Sequence, residues 1–261
     1  MKMTILGSSG SLGGPWNAAS GYLVEPAISA PGIVMDLGPG SLAQLARYVN
    51  PAEVHIALSH LHADHCLDFP SLLVWRRFHP KLRATQRHKL LGPSYTLLHM
   101  GRICSDDQPE GIEDISDSFN FSPLNDGISQ EISGLQITPF RVVHPIEAYA
   151  FRIYEPNTGV SIAYSGDSAW SQQLITAAQD VDIFFCEATW GATANPEVPG
   201  MHLSGAEAGK LAQAAGAKKL VLVHIPPWVS PHDCVAAARE HYSGPVSFGA
   251  PGTSYQLGKK T

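Results

Sequence analysis

The chain has few of the features that mark several large classes of protein. Its four cysteines are widely spaced and form no Cys-x-x-Cys pair, which argues against a disulfide framework and against a cysteine-rich zinc ribbon. No apolar run reaches the length of a transmembrane helix, and the opening MKMTILGSSG lacks the longer apolar core of a secretory signal. We therefore expect a cytoplasmic protein that makes no contact with membranes.

Basic charge is also scarce. The 261 residues include 17 Lys and Arg against 23 Asp and Glu, and the net charge of −6 argues against non-specific binding of nucleic acid. The charge is unevenly spread, because residues 76–89 form a basic run whereas residues 106–131 hold only acidic charges. Solvated faces of neighbouring elements explain most runs of this kind, and a basic wall near a phosphate site is the sharper alternative.

The order of predicted elements favours a layered α/β fold. Short strands come first, a strand–helix alternation closes the chain, and no repeat or low-complexity linker divides it. The segment 92–126 is rich in Gly, Pro, Asp and Ser, and we predict an irregular insertion or lid there. The predicted strands are MTIL, GYLVE, GIVMDL, VHIAL, LQITPFRVV, AYAFRIYE, GVSIAYSGD, VDIFFCEA and KKLVLVHI, and the predicted helices cover residues 41–49, 68–78, 171–179, 205–215 and 231–241.

Polar residues follow the predicted strands at the point where each strand ends. His60, His144, Asp167, Glu187 and His224 all occupy such positions. Loops at strand ends carry many sites of α/β proteins, because the strands fix the positions and the loops supply the side chains. These placements predict a single functional site built from strand ends.

The stretch SHLHADHC concentrates chelating side chains directly after the strand VHIAL. His60 and His62 are separated by one residue, so they point the same way in an extended segment, whereas Asp64 and His65 can serve a second ion. Imidazole and carboxylate ligands suit zinc, with manganese or iron as substitutes. The remaining ligands must come from elsewhere in the chain, and the candidates are His144, Asp167 and His224.

In order and spacing, these residues resemble the signature of the metallo-β-lactamase superfamily. The resemblance spans nearly the whole chain and implies an α/β fold of the αββα four-layer sandwich type, a single domain over residues 1–261. It also implies a dinuclear site in which a hydroxide bridging the two ions performs hydrolysis. The implied ligands are His60, His62, His144 and Asp167 for the first ion, and Asp64, His65, Asp167 and His224 for the second, with the Asp167 carboxylate bridging.

Two further motifs resemble the ribonuclease Z-like phosphodiesterases of this superfamily. Glu187 in CEATW and His202 in HLSGAEAGK match that branch's Glu-Ala-Thr and His-Ser/Thr segments. The resemblance implies that His202 protonates the leaving alkoxide while the Glu187 carboxylate orients the imidazole. The expected catalytic residues are Glu187 and His202, together with Asp64 of the histidine loop. A histidine that merely caps the following helix or binds the backbone is the alternative. Asp36 is the expected partner of the histidine loop, and GSSGSLGGP is the expected turn beneath the site.

Two departures separate the chain from ribonuclease Z itself. Only residues 145–166 lie between His144 and Asp167, where that enzyme's tRNA-grasping arm is typically inserted, and HIPPW follows the last histidine without the usual arginine. The motifs look closest to actinobacterial ribonuclease Z-like proteins, some of which are implicated as atypical cyclic-nucleotide phosphodiesterases. This resemblance implies a small phosphodiester substrate rather than long RNA. It implies hydrolysis of a 3′,5′-cyclic nucleotide, cAMP first, to the 5′-nucleotide with two divalent ions, zinc first.

Three other functions stay open on the sequence. A nuclease acting on tRNA 3′ ends or short RNA is supported by the basic run 76–89 and opposed by the missing arm. A thioester or lactone hydrolase would not need the pair of Glu187 and His202, and a non-catalytic scaffold would not need all seven ligands. The family also implies a homodimer, with residues 92–126 as the candidate lid or interface.

Overall fold

Two mixed β-sheets packed face to face form the centre of the molecule, a computed structural model that describes residues 1–105 and 111–258. The strands are β1 (Lys2–Ser9), β2 (Ala18–Ala19), β3 (Gly21–Glu25), β4 (Ile33–Leu37), β5 (His55–Ala57), β6 (His88–Gly92), β7 (Phe119–Pro123), β8 (Gln130–Ile132), β9 (Leu135–Arg141), β10 (Tyr149–Glu155), β11 (Val160–Tyr164), β12 (Ile183–Glu187), β13 (Leu220–Val223), β14 (Val246–Phe248) and β15 (Ser254–Gln256). The helices are α1 (Ser41–Leu45), α2 (Ala63–Cys66), α3 (Phe69–Phe78), α4 (Thr96–Cys104), α5 (Gln172–Ala177), α6 (Gly205–Ala215) and α7 (Pro231–Arg239). Among the described residues, no helix combines the length and apolar character needed to cross a bilayer.

Each sheet is antiparallel on one side and parallel on the other. The first sheet has the order β15-β1-β3-β4-β5-β6-β7, with β2 beside β1, and its pairing becomes parallel from β4 onward. The second has the order β14-β13-β12-β11-β10-β9-β8 and is parallel from β11 to β14. Apart from the short pair of β1 and β2, the parallel neighbours are β4/β5, β5/β6, β6/β7, β11/β12, β12/β13 and β13/β14, and a helix lies in each of these six crossover connections.

The strands are apolar on both faces because both faces are covered. Along β4, Ile33 and Met35 are buried in the core between the sheets, whereas Val34 is buried against the first helical layer. Along β13, Val221 belongs to the core between the sheets and Leu222 to the core under helices α5–α7. Three apolar cores therefore separate four layers, and the predicted αββα sandwich is confirmed.

The segment 92–126 is more regular than its composition predicts. It contains α4 and the edge strand β7, which pairs in parallel with β6 from Phe119 to Pro123. The prediction of an irregular segment is wrong for these two elements, because pairing to β6 and packing of Met100 override the local Gly, Pro and Ser content. Residues 106–110 lie outside the described residues, and the lid or interface role stays a prediction.

The basic run contacts the acidic run. The Arg77 guanidinium pairs with the carboxylates of Glu113 and Asp117. Arg76, Arg83 and Arg87 line an open cleft of about 800 Å³ at the end of α3, and none of the predicted metal ligands lines it. The end of α3 lies about 15 Å from its start near the histidine loop, at a rise of 1.5 Å per residue. The cleft lined by these arginines is therefore separate from the predicted metal ligands.

Candidate metal centre

The seven predicted metal ligands meet at one edge of the two sheets. His60 and His62 follow β5, and Asp64 and His65 lie in the short helix α2. The second sheet supplies the rest: His144 follows β9, Asp167 follows β11 and His224 follows β13. In each of the two groups expected from the sequence, the potential ligand atoms lie within 4.8 Å of one another. The structure thus brings all seven residues together in the predicted pairing.

The first group is partly open to solvent. Nδ1 of His62 lies 3.1 Å from Nε2 of His60 and 3.1 Å from Nε2 of His144. Asp167 Oδ2 is 3.7 Å from Nε2 of His60. His60 and Asp167 are buried, whereas His62 and His144 are half-buried, so the group opens on the side of these two rings.

The second group is buried throughout. Nε2 of His65 lies 3.1 Å from Nε2 of His224 and 3.2 Å from Oδ1 of Asp167. Asp64 Oδ2 lies 3.0 Å from Nε2 of His224. Asp167 belongs to both groups: its Oδ1 lies near His65, and its Oδ2 lies between His60 at 3.7 Å and Nε2 of His224 at 3.4 Å, a position that suits a bridging carboxylate.

Hydrogen bonds on the outer side of the rings turn lone pairs toward the centre of each group. Nδ1 of His144 donates to the carbonyl oxygen of Met201 at 2.9 Å, so the neutral ring presents an unprotonated Nε2. Oδ1 of Asp167 is buried and accepts no hydrogen bond from the described part of the chain. Converging imidazole nitrogens and carboxylate oxygens without donors between them are stable around a cation, and this donor set fits a divalent metal such as zinc.

The electrostatic field of the site favours positive charge. Burial holds the pKa of His60 well below its ordinary value, so this ring is neutral. Burial also lowers the pKa of His65, but the carboxylates of Asp167 and Asp36 outweigh it and raise that pKa well above its ordinary value. The carboxylates that raise the pKa of His65 also favour a divalent ion beside them.

Asp36 occupies the position expected of a partner for the histidine loop. Its carboxylate accepts from Nδ1 of His65 at 2.8 Å and from the backbone N–H and the hydroxyl of Ser59, each at 2.7 Å. It also accepts from the Tyr164 hydroxyl at 2.7 Å. The Ser59 hydroxyl lies 3.0 Å from Nδ1 of His60, so one carboxylate orients ligands of both groups.

Replacing Asp36 with asparagine is expected to lower metal affinity by about 10–100-fold, the usual effect of losing an outer partner of a ligand histidine. The amide NH₂ cannot accept from the His65 ring and the two hydroxyls as a carboxylate oxygen does. Metal content after dialysis against a graded chelator series, read by mass spectrometry, checks this. The exposed Asp114→Asn is the control, and equal affinity in both variants would contradict the role given to Asp36.

The turn expected beneath the site also packs there. A Cβ atom on Gly10 would lie 2.6 Å from the carbonyl oxygen of His224, so only glycine allows this approach. His224 itself has φ of 52° and Asp36 has φ of 57°, values uncommon outside glycine. Two site residues thus occupy unusual backbone conformations that the surrounding packing maintains.

Glu187 and His202 form an ion pair beside the two groups. Nδ1 of His202 donates to Oε1 of Glu187 at 3.0 Å, and the His202 ring centroid lies 5.4 Å from that of His144. Burial lowers the pKa of His202, but the Glu187 carboxylate outweighs it and raises this pKa to about 9. The imidazole therefore carries a proton at neutral pH.

Helix capping does not explain His202. Helix α6 is capped by Ser204, whose hydroxyl accepts from the backbone N–H of Glu207, while the Glu207 carboxylate accepts from the backbone N–H of Ser204. This capping box leaves no role for His202 at the helix start. The capping alternative is wrong, and the pairing of His202 with Glu187 is the observed contact.

Glu187, His202 and His224 are also close enough to form a third group of potential ligands. The Glu187 carboxylate is already saturated, because five donors lie within 3.3 Å of its two oxygens. These donors are the backbone N–H groups of Ser168, Thr189 and Leu203, the Thr189 hydroxyl and Nδ1 of His202. With its lone pairs filled, this carboxylate orients an imidazole rather than binding an ion.

Three hydroxyl residues at the site escape the sequence reasoning: Ser59, Tyr164 and Thr189. Each lies within three residues of a predicted site residue, in LSH, AYSGD and CEATW. The sequence signal for these residues is a hydroxyl side chain close to a candidate site residue. It is a weak signal, because serine and threonine are common in loops at strand ends.

The fold and the cluster of imidazole and carboxylate donors define a metal-dependent hydrolase. Residues 32–225 match the family described as Beta-lactamase superfamily domain, and the chain belongs to that family. An uncharacterised protein of Mycobacterium tuberculosis is 46% identical over 249 residues, which are 94% of this chain and 88% of that protein.

Solved structures share the fold over its full extent. The crystal structure of the metallo-β-lactamase fold protein YhfI from Bacillus subtilis has a TM-score of 0.83 at 22% identity, covering 97% of this chain and 98% of that one. Human tRNase Z, short form, has a TM-score of 0.73 at 20% identity, covering 98% and 99%. At these identities the likeness is one of fold.

Proposed function

We propose that the protein is a phosphodiesterase that hydrolyses 3′,5′-cyclic nucleotides, cAMP first, to 5′-nucleotides. The observation that carries this proposal is the ion pair of Glu187 and His202 beside two groups of metal-type donors. Hydrolysis of a phosphodiester expels an alkoxide, which is a poor leaving group until it is protonated. A protonated imidazole held at the edge of the site meets that need.

His202 is oriented for proton transfer. Its Nδ1 is held by Glu187, and its Nε2 has no hydrogen-bond partner among residues 1–105 and 111–258. Its side chain keeps 11% of its surface exposed, so substrate can reach this nitrogen. In the proposed reaction the attacking water loses a proton to solvent and its oxygen bonds to phosphorus. The P–O3′ bond breaks, and the 3′-oxygen takes the proton of His202, which solvent restores.

The proposed ligands are the seven residues of the two groups, and zinc is the proposed metal, with manganese or iron as substitutes. Two divalent ions bound there would acidify a water and neutralise the charge on the phosphoryl oxygens. The chain's own part is to hold these ions in place. Asp64 and Asp167 supply the anionic ligands, and Asp36 orients the histidines.

The loops around the site support a small nucleotide substrate. The hairpin of β10 and β11 occupies the chain between His144 and Asp167, with only residues 156–159 between its strands. It leaves no length for a tRNA-grasping arm. Trp170 and Trp228, 45% and 68% exposed, lie in the loops that follow Asp167 and His224 and offer faces on which a base can stack.

The test is one panel of substrates with one preparation of protein. Enzyme loaded with Zn²⁺ or Mn²⁺ is offered cAMP, cGMP, bis(p-nitrophenyl) phosphate, precursor tRNA and a thioester. We expect cAMP hydrolysis to 5′-AMP, which stops on treatment with a chelator and returns with added metal. Cleavage of precursor tRNA with inert cAMP would establish the nuclease alternative, and turnover of the thioester alone would remove the protein from the phosphodiesterases.

A further inference from the structure

We propose that Thr189 is a positioning residue that joins the metal-type ligand His224 to the ion pair of Glu187 and His202. Its hydroxyl oxygen lies 2.8 Å from Nδ1 of His224 and 2.7 Å from Oε2 of Glu187. Thr189 is 4% exposed, so water does not compete for these contacts. One buried hydroxyl thus touches both halves of the site.

The single proton of this hydroxyl decides the direction of both hydrogen bonds. Glu187 is a carboxylate and can only accept, so the Thr189 O–H donates to its Oε2. The Thr189 oxygen then has lone pairs for His224, whose Nδ1 must carry a proton and donate. In the reverse arrangement, the oxygens of Thr189 and Glu187 would face each other at 2.7 Å with no proton between them.

This assignment fixes the tautomer of His224. When the second group holds a cation, the proton on Nδ1 leaves Nε2 with its lone pair inside that group, 3.0 Å from Oδ2 of Asp64. The carbonyl oxygen of His224 lies farther from the hydroxyl, at 3.1 Å, and is the weaker acceptor. The hydrogen-bond chain therefore runs from His224 through Thr189 to Glu187, which also holds His202.

The main chain around Thr189 leaves the hydroxyl little freedom. The backbone N–H of Thr189 donates to the same Glu187 oxygen at 3.3 Å, and Gly10 packs against the carbonyl group and Nδ1 of His224. A ring held this way cannot turn to find another acceptor when the hydroxyl is lost. The readiness of the second group to bind a cation and the orientation of Glu187 therefore depend on the same side chain.

Valine and serine in place of threonine separate shape from hydrogen bonding. Thr189→Val keeps the shape and removes the hydroxyl, and we expect it to lower affinity for Zn²⁺ and Mn²⁺ by about 10–100-fold. Thr189→Ser keeps the hydroxyl and is expected to restore most of this loss. The control is Thr176→Val, because the Thr176 hydroxyl bonds a backbone carbonyl on the exposed face of α5 and touches neither group. Competition against a chromophoric chelator measures all four proteins, with circular dichroism as the check on folding.

Nuclear magnetic resonance of ¹⁵N-histidine in the metal-free full chain gives a second readout. We expect His224 to carry its proton on Nδ1 in the wild type and to lose this preference in Thr189→Val. A wild-type His224 protonated on Nε2 alone overturns the proposal, even if the valine variant fails to fold. A folded valine variant that keeps wild-type metal affinity overturns it as well.

The link from Thr189 to His202 rests on the proposed function, whereas the link to His224 needs only that the second group binds a cation. The two can fail separately. A protein that hydrolyses no phosphodiester yet loses metal affinity in Thr189→Val would refute the proposed function and support the role of Thr189. If the protein hydrolyses cAMP equally well with threonine or valine at this position, at limiting metal, the proposed function is supported and the role of Thr189 is refuted.

Discussion

Replacing His202 with alanine is expected to lower kcat for cAMP hydrolysis by about 10²–10⁴-fold, the usual contribution of a general acid. The metal content should stay at the wild-type level, because His202 belongs to neither of the two predicted ligand groups. The reason for the loss is the leaving 3′-oxygen, which departs as an alkoxide when no proton is supplied. Steady-state kinetics with cAMP, combined with metal analysis of the same preparation, measure both quantities.

Two comparisons separate proton donation from other roles of His202. Bis(p-nitrophenyl) phosphate expels a stable phenolate that needs little protonation, so its hydrolysis should suffer much less than that of cAMP. His232→Ala is the matched control, because its side chain is 92% exposed on α7. Equal losses on both phosphodiesters would show that His202 binds substrate instead. An unchanged rate on cAMP would favour a hydrolase that does not need proton donation by the pair of Glu187 and His202.

Replacing Asp167 with alanine is expected to abolish hydrolysis of every substrate and to empty both metal groups. This side chain contributes an oxygen to each group and lies between their imidazoles, whereas the carboxylate of Asp64 belongs to the second group alone. Metal binding stabilises the wild type by about 2.7 kcal/mol when the free ion is at 100 times its dissociation constant, and the variant should lose this gain. Metal content and thermal unfolding with and without added Zn²⁺ are the measurements.

Asp233→Ala, an acidic residue 67% exposed at the start of α7, is the control for Asp167. It should bind metal and respond to added Zn²⁺ as the wild type does. A stoichiometric metal complex of the Asp167 variant would refute the shared-ligand assignment. Loss of metal from only one group would show that Asp167 serves a single ion.

The grouping of the seven candidate ligands and the layered fold could be predicted from the sequence, because both depend on local patterns of residues. Each ligand follows an apolar strand, and parallel strands of one sheet end at the same edge. Likewise, Glu187 and His202 stand in motifs that can be recognised without knowing their contacts. The observed distance of 3.0 Å between them adds what the motifs lack, namely that His202 is held by Glu187 rather than by the helix it precedes.

The elements that escaped prediction depend on distant partners. Strand β7 has the sequence FNFSP, whose alternation of apolar and polar residues covers only Phe119–Ser122 before a proline, and pairing with β6 holds it in the sheet. The role of Thr189 follows from the hydrogen bond to His224, which lies 35 residues farther along the chain. The basic run 76–89 is visible in the sequence, but its separation from the histidine loop was not predicted, because it depends on the length of α3.

Each of the two donor groups is split evenly between the sheets. The first takes His60 and His62 from loops of the first sheet, and the second takes Asp64 and His65 from the same side. The second sheet supplies two ligands to each group: His144 and Asp167 to the first, and Asp167 and His224 to the second. A half-folded chain with only one sheet formed therefore offers at most two ligands to each of these two groups. Tight metal uptake during refolding would therefore report the docking of the two sheets. A chelator would remove the ions that connect them and so weaken their association.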